Sequence, residues 1–319
     1  MISTYINQGN KDTRSGFGIG LLEAAKKNPN VIALCADLKE SVKMDSLAKE
    51  FPERFIQCGI AESNMVSAAA GLALSGKIPF IGTFAAFASG RVYDQIRQSV
   101  AYSNTNVKIA GSHAGITLGE DGATHQILED LGLMKMLPHM VVINPCDFNQ
   151  TKAATIAAAE HKGPVYLRFG RPVVPNFTPE NQSFEIGKAV LMNEGCDVTI
   201  FATGHLVWEA ALAVQQLQKE NISVELINIH TIKPLDKTAV LTSAAKTRAV
   251  VSAEEHMMNG GLGDSIAQLL MRENPTPMEY VAVDDKFGQS GRPAEMLPTY
   301  QLDSNAIIAA VHKVLSRKK

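Results

Sequence analysis

The chain has 319 residues, of which 45% are apolar and 19% charged, and its formal net charge is −2. This length is enough for two domains, and the balanced charge provides no basic surface for nucleic acid or an anionic membrane. No apolar run reaches the roughly 20 residues of a membrane-spanning helix, and the polar start lacks the apolar stretch of a signal peptide. The four cysteines form no CxxC pair, so we expect free thiols in a reduced, cytoplasmic protein.

The first part of the chain, residues 1–172, alternates strand-like apolar runs with alanine-rich helical segments. The predicted strands are VIALCADL (31–38), FIQCGI (55–60), KIPFIGTF (77–84), NVKIAGS (106–112), MVVINP (140–145) and PVYLRFG (164–170). Segments whose apolar residues have helical spacing lie between these strands. One of them is NMVSAAAGLALSG (64–76), which ends at a glycine. This alternation predicts an α/β fold with a mostly parallel sheet and helices on both faces.

The pattern breaks at residues 173–190, where two prolines and several polar residues predict a linker. The alternation then restarts, with strands predicted at DVTIFATG (197–204) and RAVVSAEEH (248–256). Residues 191–319 are therefore predicted to form a second, smaller domain, again a mostly parallel sheet with helices on both faces. No chemistry can be assigned to this domain from its sequence, and we expect a dimerisation or scaffolding role.

The stretch GSHAGITLGEDGATHQILE (111–129) places His113 and His125 on either side of an acidic glycine loop. His113 directly follows a predicted strand, and the carboxyl ends of parallel strands are where ligands bind. Histidine exchanges protons near neutral pH and can bind a sugar hydroxyl or a phosphate. A surface turn with two incidental histidines is the alternative interpretation.

Two further stretches carry residues that could bind a flat heterocycle. CGIAESN (58–64) places Glu62 in the first turn of an alanine-rich helix, and TFAAFASGRVYDQ (83–95) spaces Phe84 and Phe87 three apart. Alone, these could be an ordinary first-turn glutamate and two core phenylalanines. Together they could supply a buried carboxylate and an aromatic stacking platform.

The three stretches, in this order and at this spacing, resemble the C-terminal two-thirds of transketolase. GEDGATHQ is similar to the family's GEDGPTHQ, GIAESN to its catalytic-glutamate motif, and TFAAF to its cofactor-stacking segment. The resemblance runs from residue 13 to about 172 and continues weakly to the end. It implies a thiamine-diphosphate pyrimidine-binding domain followed by a transketolase C-terminal domain, with thiamine diphosphate as cofactor.

The resemblance also implies roles for individual residues. Glu62 would bind a pyrimidine ring nitrogen of the cofactor and is the expected catalytic residue together with His125, near the reacting centre. The other expected cofactor-binding residues are Phe84, Phe87 and Asp37. The expected substrate-binding residues are Arg14, Ser41, His113, Asp121 and Arg171, with Arg168 as a rival of Arg171 for the phosphate. Ser63, Ala123 and Gly90 depart from the family pattern and leave the substrate open.

The family's diphosphate site requires a GDG motif with a downstream asparagine, and the sequence contains no GDG. We therefore expect no metal ligands in this chain and an N-terminal transketolase subunit that supplies this motif and holds Mg²⁺ or Ca²⁺. Two copies of each subunit are the simplest assembly. The expected reaction is transfer of a two-carbon ketol unit from a ketose phosphate to an aldose or aldose phosphate.

Three alternatives remain open on the sequence alone. The length and the segment EEHMMNGGLGDSIAQLL (254–270) also suit the beta subunit of a 2-oxoacid dehydrogenase, and RFGR (168–171) suits a 1-deoxyxylulose-5-phosphate synthase-like enzyme. A non-catalytic interaction subunit on the same fold is the alternative from another class. The GEDGATHQ loop, His113 and the expected phosphate ligands favour transketolase.

Overall fold

Two predominantly parallel sheets, each flanked by helices, organise the chain. The computed structural model describes Ile2 and residues 5–318. The strands are β1 Asn10–Asp12, β2 Val31–Cys35, β3 Phe55–Gln57, β4 Ile78–Phe84, β5 Lys108–Ser112, β6 Val141–Ile143, β7 Val165–Arg168, β8 Val173–Pro175, β9 Val190–Asn193, β10 Val198–Ala202, β11 Val224–Asn228, β12 Thr231–Lys233, β13 Val250–Met257 and β14 Met278–Val283.

The helices lie mainly between successive strands, as the sequence predicts. They are α1 Thr13–Lys27, α2 Asp45–Glu50, α3 Glu62–Leu74, α4 Tyr93–Gln95, α5 Asp130–Lys135, α6 Phe148–Glu160, α7 Leu206–Lys219, α8 Lys237–Thr247, α9 Leu262–Glu273, α10 Pro293–Thr299 and α11 Ser304–Ser316. Two π-helical segments, Ala86–Gly90 and Ile96–Tyr102, flank α4. No helix among the described residues is both long and apolar enough to cross a membrane.

The first sheet has seven strands in the order β12-β6-β7-β5-β4-β2-β3. All neighbouring pairs are parallel except β12 with β6. β2 and β5 are buried at every position because helices cover both faces of the sheet. This confirms the predicted fold class of the first part of the chain.

The second sheet has five strands in the order β14-β13-β10-β11-β9, in which only β9 is antiparallel to its neighbour. Two helix pairs pack against this sheet. α7 contacts α11, and α8 contacts α9. The prediction of a second α/β unit is thus also confirmed.

The segment 173–190, predicted as a linker, is attached to the first sheet's helices over part of its length. β8 pairs with β1 in a separate two-stranded antiparallel sheet. The Asp147 side chain at the start of α6 accepts hydrogen bonds from the backbone N–H groups of Phe177 and Thr178, at 2.8 and 2.7 Å. The two sheets also share a hydrophobic core, and β12 from the second part extends the first sheet.

Candidate active site

Most of the predicted site residues follow strands that end at one edge of the first sheet. β3, β2, β4, β5 and β7 are parallel, and their carboxyl ends therefore lie on the same side. Glu62, Asp37, Phe84, His113 and Arg171 lie at or just after these ends in the sequence. Ligands bind at this edge in open α/β sheets because loops and helix starts meet there.

Glu62 is the first residue of α3, and its side chain is only 6% exposed. Nη1 of Arg91 donates a hydrogen bond to Glu62 Oε1 at 2.8 Å, and no described residue donates to Oε2. The Arg91 guanidinium also lies 4.0 Å from the centroid of the Phe87 ring, a cation–π contact. Arg91 was not among the predicted residues, although its position four after Phe87 is the spacing of neighbours on a helix surface.

Phe84 lies at the centre of a cluster of four rings. Its centroid is 3.8 Å from that of His113 and 5.7 Å from that of Phe87, both in stacked orientations. His125 meets Phe84 and Phe87 edge-on, at 6.5 and 5.6 Å. Phe84, Phe87 and His125 are only half-buried, so this cluster presents aromatic surface beside Glu62 and Arg91.

His113 is buried and has a left-handed backbone with φ of 59°. That conformation is costly for a residue with a Cβ and is found preferentially at functional sites. Its Nδ1 lies 2.8 Å from Ser112 Oγ in a hydrogen bond, while Nε2 has no hydrogen bond to the described residues. Burial, and then the charges of Arg14 and Arg171, lower the pKa of His113 to about 3.

Arg14 and Arg171 are two cations whose charges both act on His113, and each also pairs with a carboxylate, Asp12 at 3.3 Å and Glu120 at 3.1 Å. Burial lowers the pKa of Arg14, Asp12 opposes this, and the charge of Arg171 lowers it further. Arg14 donates to the backbone carbonyl of Ser41 at 3.1 Å, and Arg171 donates to the carbonyl of Leu118 at 2.9 Å. An anion beside Arg14 would offset the effect that the charge of Arg171 has on it.

Arg168, the rival of Arg171 for the phosphate, lies in a buried network of contacts. It is 3% exposed, and its Nε lies 2.9 Å from Asp130 Oδ2. Its Nη2 donates to the carbonyl of Glu255 at 2.8 Å. Through Nε and Nη2, Arg168 on β7 therefore contacts both α5 and β13.

Two predicted residues are exposed and make few contacts. Asp37 follows β2 with a φ of 61°, and its backbone N–H donates to Gln57 Oε1 at 2.8 Å. Asp121 lies on the surface of the glycine loop, and no hydrogen bond to another described residue involves its side chain. The structure therefore places both at the edge of the site without linking them to the aromatic cluster.

The site suits one end of thiamine diphosphate. A nearly buried carboxylate with one unbonded oxygen, beside half-exposed aromatic rings, fits a flat heterocycle that carries ring nitrogens. The described residues contain no group of three or more His, Cys, Asp or Glu side chains that could hold a metal ion. The carboxylate and the rings therefore fit the pyrimidine end of the cofactor.

Comparison with known proteins agrees with this geometry. Residues 10–176 match the family described as "Transketolase, pyrimidine binding domain", and residues 187–307 match "Transketolase, C-terminal domain". The chain is 45% identical over 298 residues to the 6-deoxy-6-sulfo-D-fructose transketolase subunit SqwH of a Clostridium species, covering 93% of this chain and 92% of that one. It is 42% identical over 311 residues to the putative transketolase C-terminal section of Methanocaldococcus jannaschii, covering 97% and 98%.

A solved structure described as "Split gene transketolase, inactive beta4 tetramer" is also similar. Its TM-score is 0.90 at 43% identity, and the match covers 98% of this chain and 100% of that one. The fold and the site thus define a pyrimidine-binding half of a thiamine-diphosphate-dependent transferase. The chain belongs to the transketolase family and corresponds to the C-terminal section of its members, which confirms the predicted family and subunit type.

Proposed function

We propose that this chain, together with a separate N-terminal subunit, transfers a two-carbon ketol unit from a ketose phosphate to an aldose or aldose phosphate. The observation that carries the proposal is the arrangement of Glu62 beside the half-exposed aromatic cluster at the carboxyl edge of the first sheet. The relatives named as transketolase subunits support the reaction type.

Thiamine diphosphate, when bound, supplies a thiazolium carbon that accepts the ketol unit. Glu62 would hold a ring nitrogen of the pyrimidine through the oxygen that Arg91 does not bind. Phe87 and Phe84 would contact the ring face, and Asp37 would lie nearby. His125, half-buried against both phenylalanines, would exchange a proton with the substrate or bind a hydroxyl group.

The anionic end of the sugar would lie against Arg14 and Arg171. The Thr13 hydroxyl donates to the Gly170 carbonyl at 3.2 Å, which brings the segments of Arg14 and Arg171 together, and guanidinium forks suit the oxygens of phosphate. Ser41 would contribute near Arg14, His113 would offer Nε2 to a hydroxyl, and Asp121 would reach a hydroxyl from the loop. Because one relative is named for a sulfonated ketose, phosphate and sulfonate donors should both be assayed.

The proposed partner is an N-terminal subunit that carries the GDG motif and binds Mg²⁺ or Ca²⁺ with the diphosphate, in an assembly of two copies of each chain. The similar split-gene protein, whose beta-chain tetramer is described as inactive, supports a need for this partner. We also propose a cytoplasmic location, which the four free cysteines support because oxidising compartments favour disulfides.

Replacing Glu62 by glutamine tests the function. We expect turnover of the reconstituted enzyme to fall by roughly 10²–10⁴-fold, the usual contribution of a positioned proton-transfer group. Turnover would be measured with xylulose 5-phosphate and with sulfonated ketose donors, after circular dichroism has verified that the variant is folded.

Glu209→Gln is the matched control. Glu209 also lies in the first turn of a helix and is partly buried, but it accepts a hydrogen bond from the backbone of Ser304 in the second α/β unit. We expect this variant to keep wild-type turnover. If Glu62→Gln also stays within about threefold of wild type, the catalytic assignment of Glu62 is wrong.

A further inference from the structure

The segment Glu254–His256 in β13 buries three consecutive ionisable side chains, each at most 3% exposed. Burying a carboxylate is costly unless hydrogen bonds compensate for its lost hydration. The function proposed above uses none of these three residues, so their burial needs another explanation.

Glu255 satisfies its carboxylate on the loop that carries the candidate histidines. Its Oε1 accepts a hydrogen bond from the Thr117 backbone N–H and another from Thr117 Oγ1, both at 2.7 Å. Thr117 lies in the same loop as His113 and Asp121. We call residues 111–129 the substrate loop.

The loop lies so close to Glu255 that position 115 requires a glycine. A Cβ on Gly115 would come within 2.3 Å of Glu255 Oε1, and Gly115 has a φ of 86°. The loop backbone two residues beyond His113 therefore lies directly against this carboxylate. A side chain at this position would push the loop away from β13.

β13 holds the substrate loop at a second point and also supports the segment of Arg171. The Met257 backbone N–H donates to the carbonyl of Leu128 at 2.6 Å. Oε2 of Glu255 lies 3.5 Å from His205 Nδ1, and the His205 ring is so close to Gly170 that a Cβ there would lie 2.3 Å from Cε1. Gly170 precedes Arg171, and its carbonyl accepts a hydrogen bond from Thr13 beside Arg14.

We propose that Glu255, from the second α/β unit, is a positioning residue that holds the substrate loop and the Arg171 segment in the geometry that binds the sugar. It would act through Thr117 and His205 rather than by touching substrate. The inference rests on the proposed role of the substrate loop in sugar binding. It gives the second unit a part in the reaction beyond scaffolding.

Glu254 provides a matched control on the same strand. It is also fully buried, but its oxygens accept from the backbone N–H groups of Leu262 and Gly263, at 2.6 and 2.8 Å, within its own unit. Glu254→Ala and Glu255→Ala therefore each remove one buried carboxylate with two backbone or hydroxyl donors. Only Glu255→Ala removes a contact to the substrate loop.

The first measurement is hydrogen–deuterium exchange of the full chain, which needs neither cofactor nor turnover. We expect peptides from residues 111–129 to exchange at least about tenfold faster in Glu255→Ala, since a lost hydrogen bond to a charged group is worth this much. Glu254→Ala should instead accelerate exchange at the start of α9. Unchanged exchange of residues 111–129 in Glu255→Ala, or equal acceleration there in both variants, would overturn the proposal.

The second measurement is steady-state kinetics of the reconstituted enzyme. Glu255→Ala should raise the KM for the ketose phosphate about tenfold or more while kcat changes by less than about threefold, and Glu255→Gln should restore KM because its amide oxygen can still accept from Thr117. Faster exchange without a change in KM would overturn the positioning role. The catalytic function is tested separately by Glu62→Gln, so the two failures are distinguishable.

Discussion

The burial of His113 beside Phe84 and two arginines determines the protonation state that it brings to the site. Its pKa is lowered to about 3, below the ordinary value of a histidine. The imidazole is therefore neutral at every pH above roughly 4, and its charge does not change in the range where enzymes are usually assayed. A neutral ring with an unbonded Nε2 can bind a substrate hydroxyl but is a poor proton donor near pH 7.

His113→Asn should consequently lower kcat/KM for the ketose phosphate by about 5–100-fold, the cost of one or two lost hydrogen bonds to substrate. The shape of the pH–rate profile between pH 5.5 and 8 should not change, because the residue removed does not titrate there. Profiles of wild type and variant, measured in the reconstituted enzyme, test this. Loss of an acidic limb near pH 6.5 in the variant would show that His113 titrates there, and that its pKa is lowered less than the structure indicates.

The sequence indicated which residues lie near His113 more directly than it indicated the environment of each side chain. The resemblance to transketolase grouped Glu62, Phe84 and His113, and in the structure each lies at or just after the end of a parallel strand. The sequence could not show the burial of His113, or the charges of Arg14 and Arg171 near it, which together lower its pKa. Arg91 was missed because its partner Glu62 lies 29 residues away in the sequence, although its spacing from Phe87 is that of neighbours on a helix surface.

At the scale of elements, the buried pair of Arg168 and Asp130 joins β7 to α5. Asp130 is fully buried and also accepts a hydrogen bond from the Tyr166 hydroxyl at 2.7 Å. The same arginine donates to the Glu255 carbonyl on β13. In the sequence, Arg168 lies 38 residues from Asp130 and 87 residues from Glu255, so no local pattern could reveal these contacts. The sequence alone therefore could not show which of Arg168 and Arg171 is buried.

Arg168→Met should lower the free energy of unfolding by about 3–5 kcal/mol, because it leaves the Asp130 carboxylate buried without its cation. Arg171→Met is the matched comparison. Arg171 is 39% exposed and pairs with the exposed Glu120, so its loss should cost less than about 1 kcal/mol of stability. Urea denaturation followed by circular dichroism measures both. Equal stability losses in the two variants would mean that the buried network contributes little.

At the scale of the whole molecule, the two α/β units do not behave as separate modules. They share one hydrophobic cluster, and β12 crosses from the second unit to the first sheet. Sequence periodicity identified both units because each repeats the strand–helix alternation. It could not show that Thr231–Lys233 would form a separate strand, β12, that pairs antiparallel with β6.

The groups that the chain itself provides determine what it can bind in isolation. It offers a carboxylate and aromatic rings to a pyrimidine, whereas we propose that the diphosphate and its metal bind to the N-terminal subunit. Charge-assisted hydrogen bonds to a diphosphate contribute about 1.5–3 kcal/mol each. Losing only two of them lowers affinity by roughly 10²–10⁴-fold.

We therefore expect thiamine diphosphate to bind the isolated chain at least about 100-fold more weakly than the reconstituted enzyme, and without dependence on Mg²⁺. Isothermal titration calorimetry with and without Mg²⁺, on the chain alone and after addition of the N-terminal subunit, measures this difference. Glu62→Ala in the isolated chain should remove the residual binding, because it removes the buried carboxylate on which that binding depends. Tight, Mg²⁺-dependent binding by the chain alone would contradict the division of the cofactor site between two subunits.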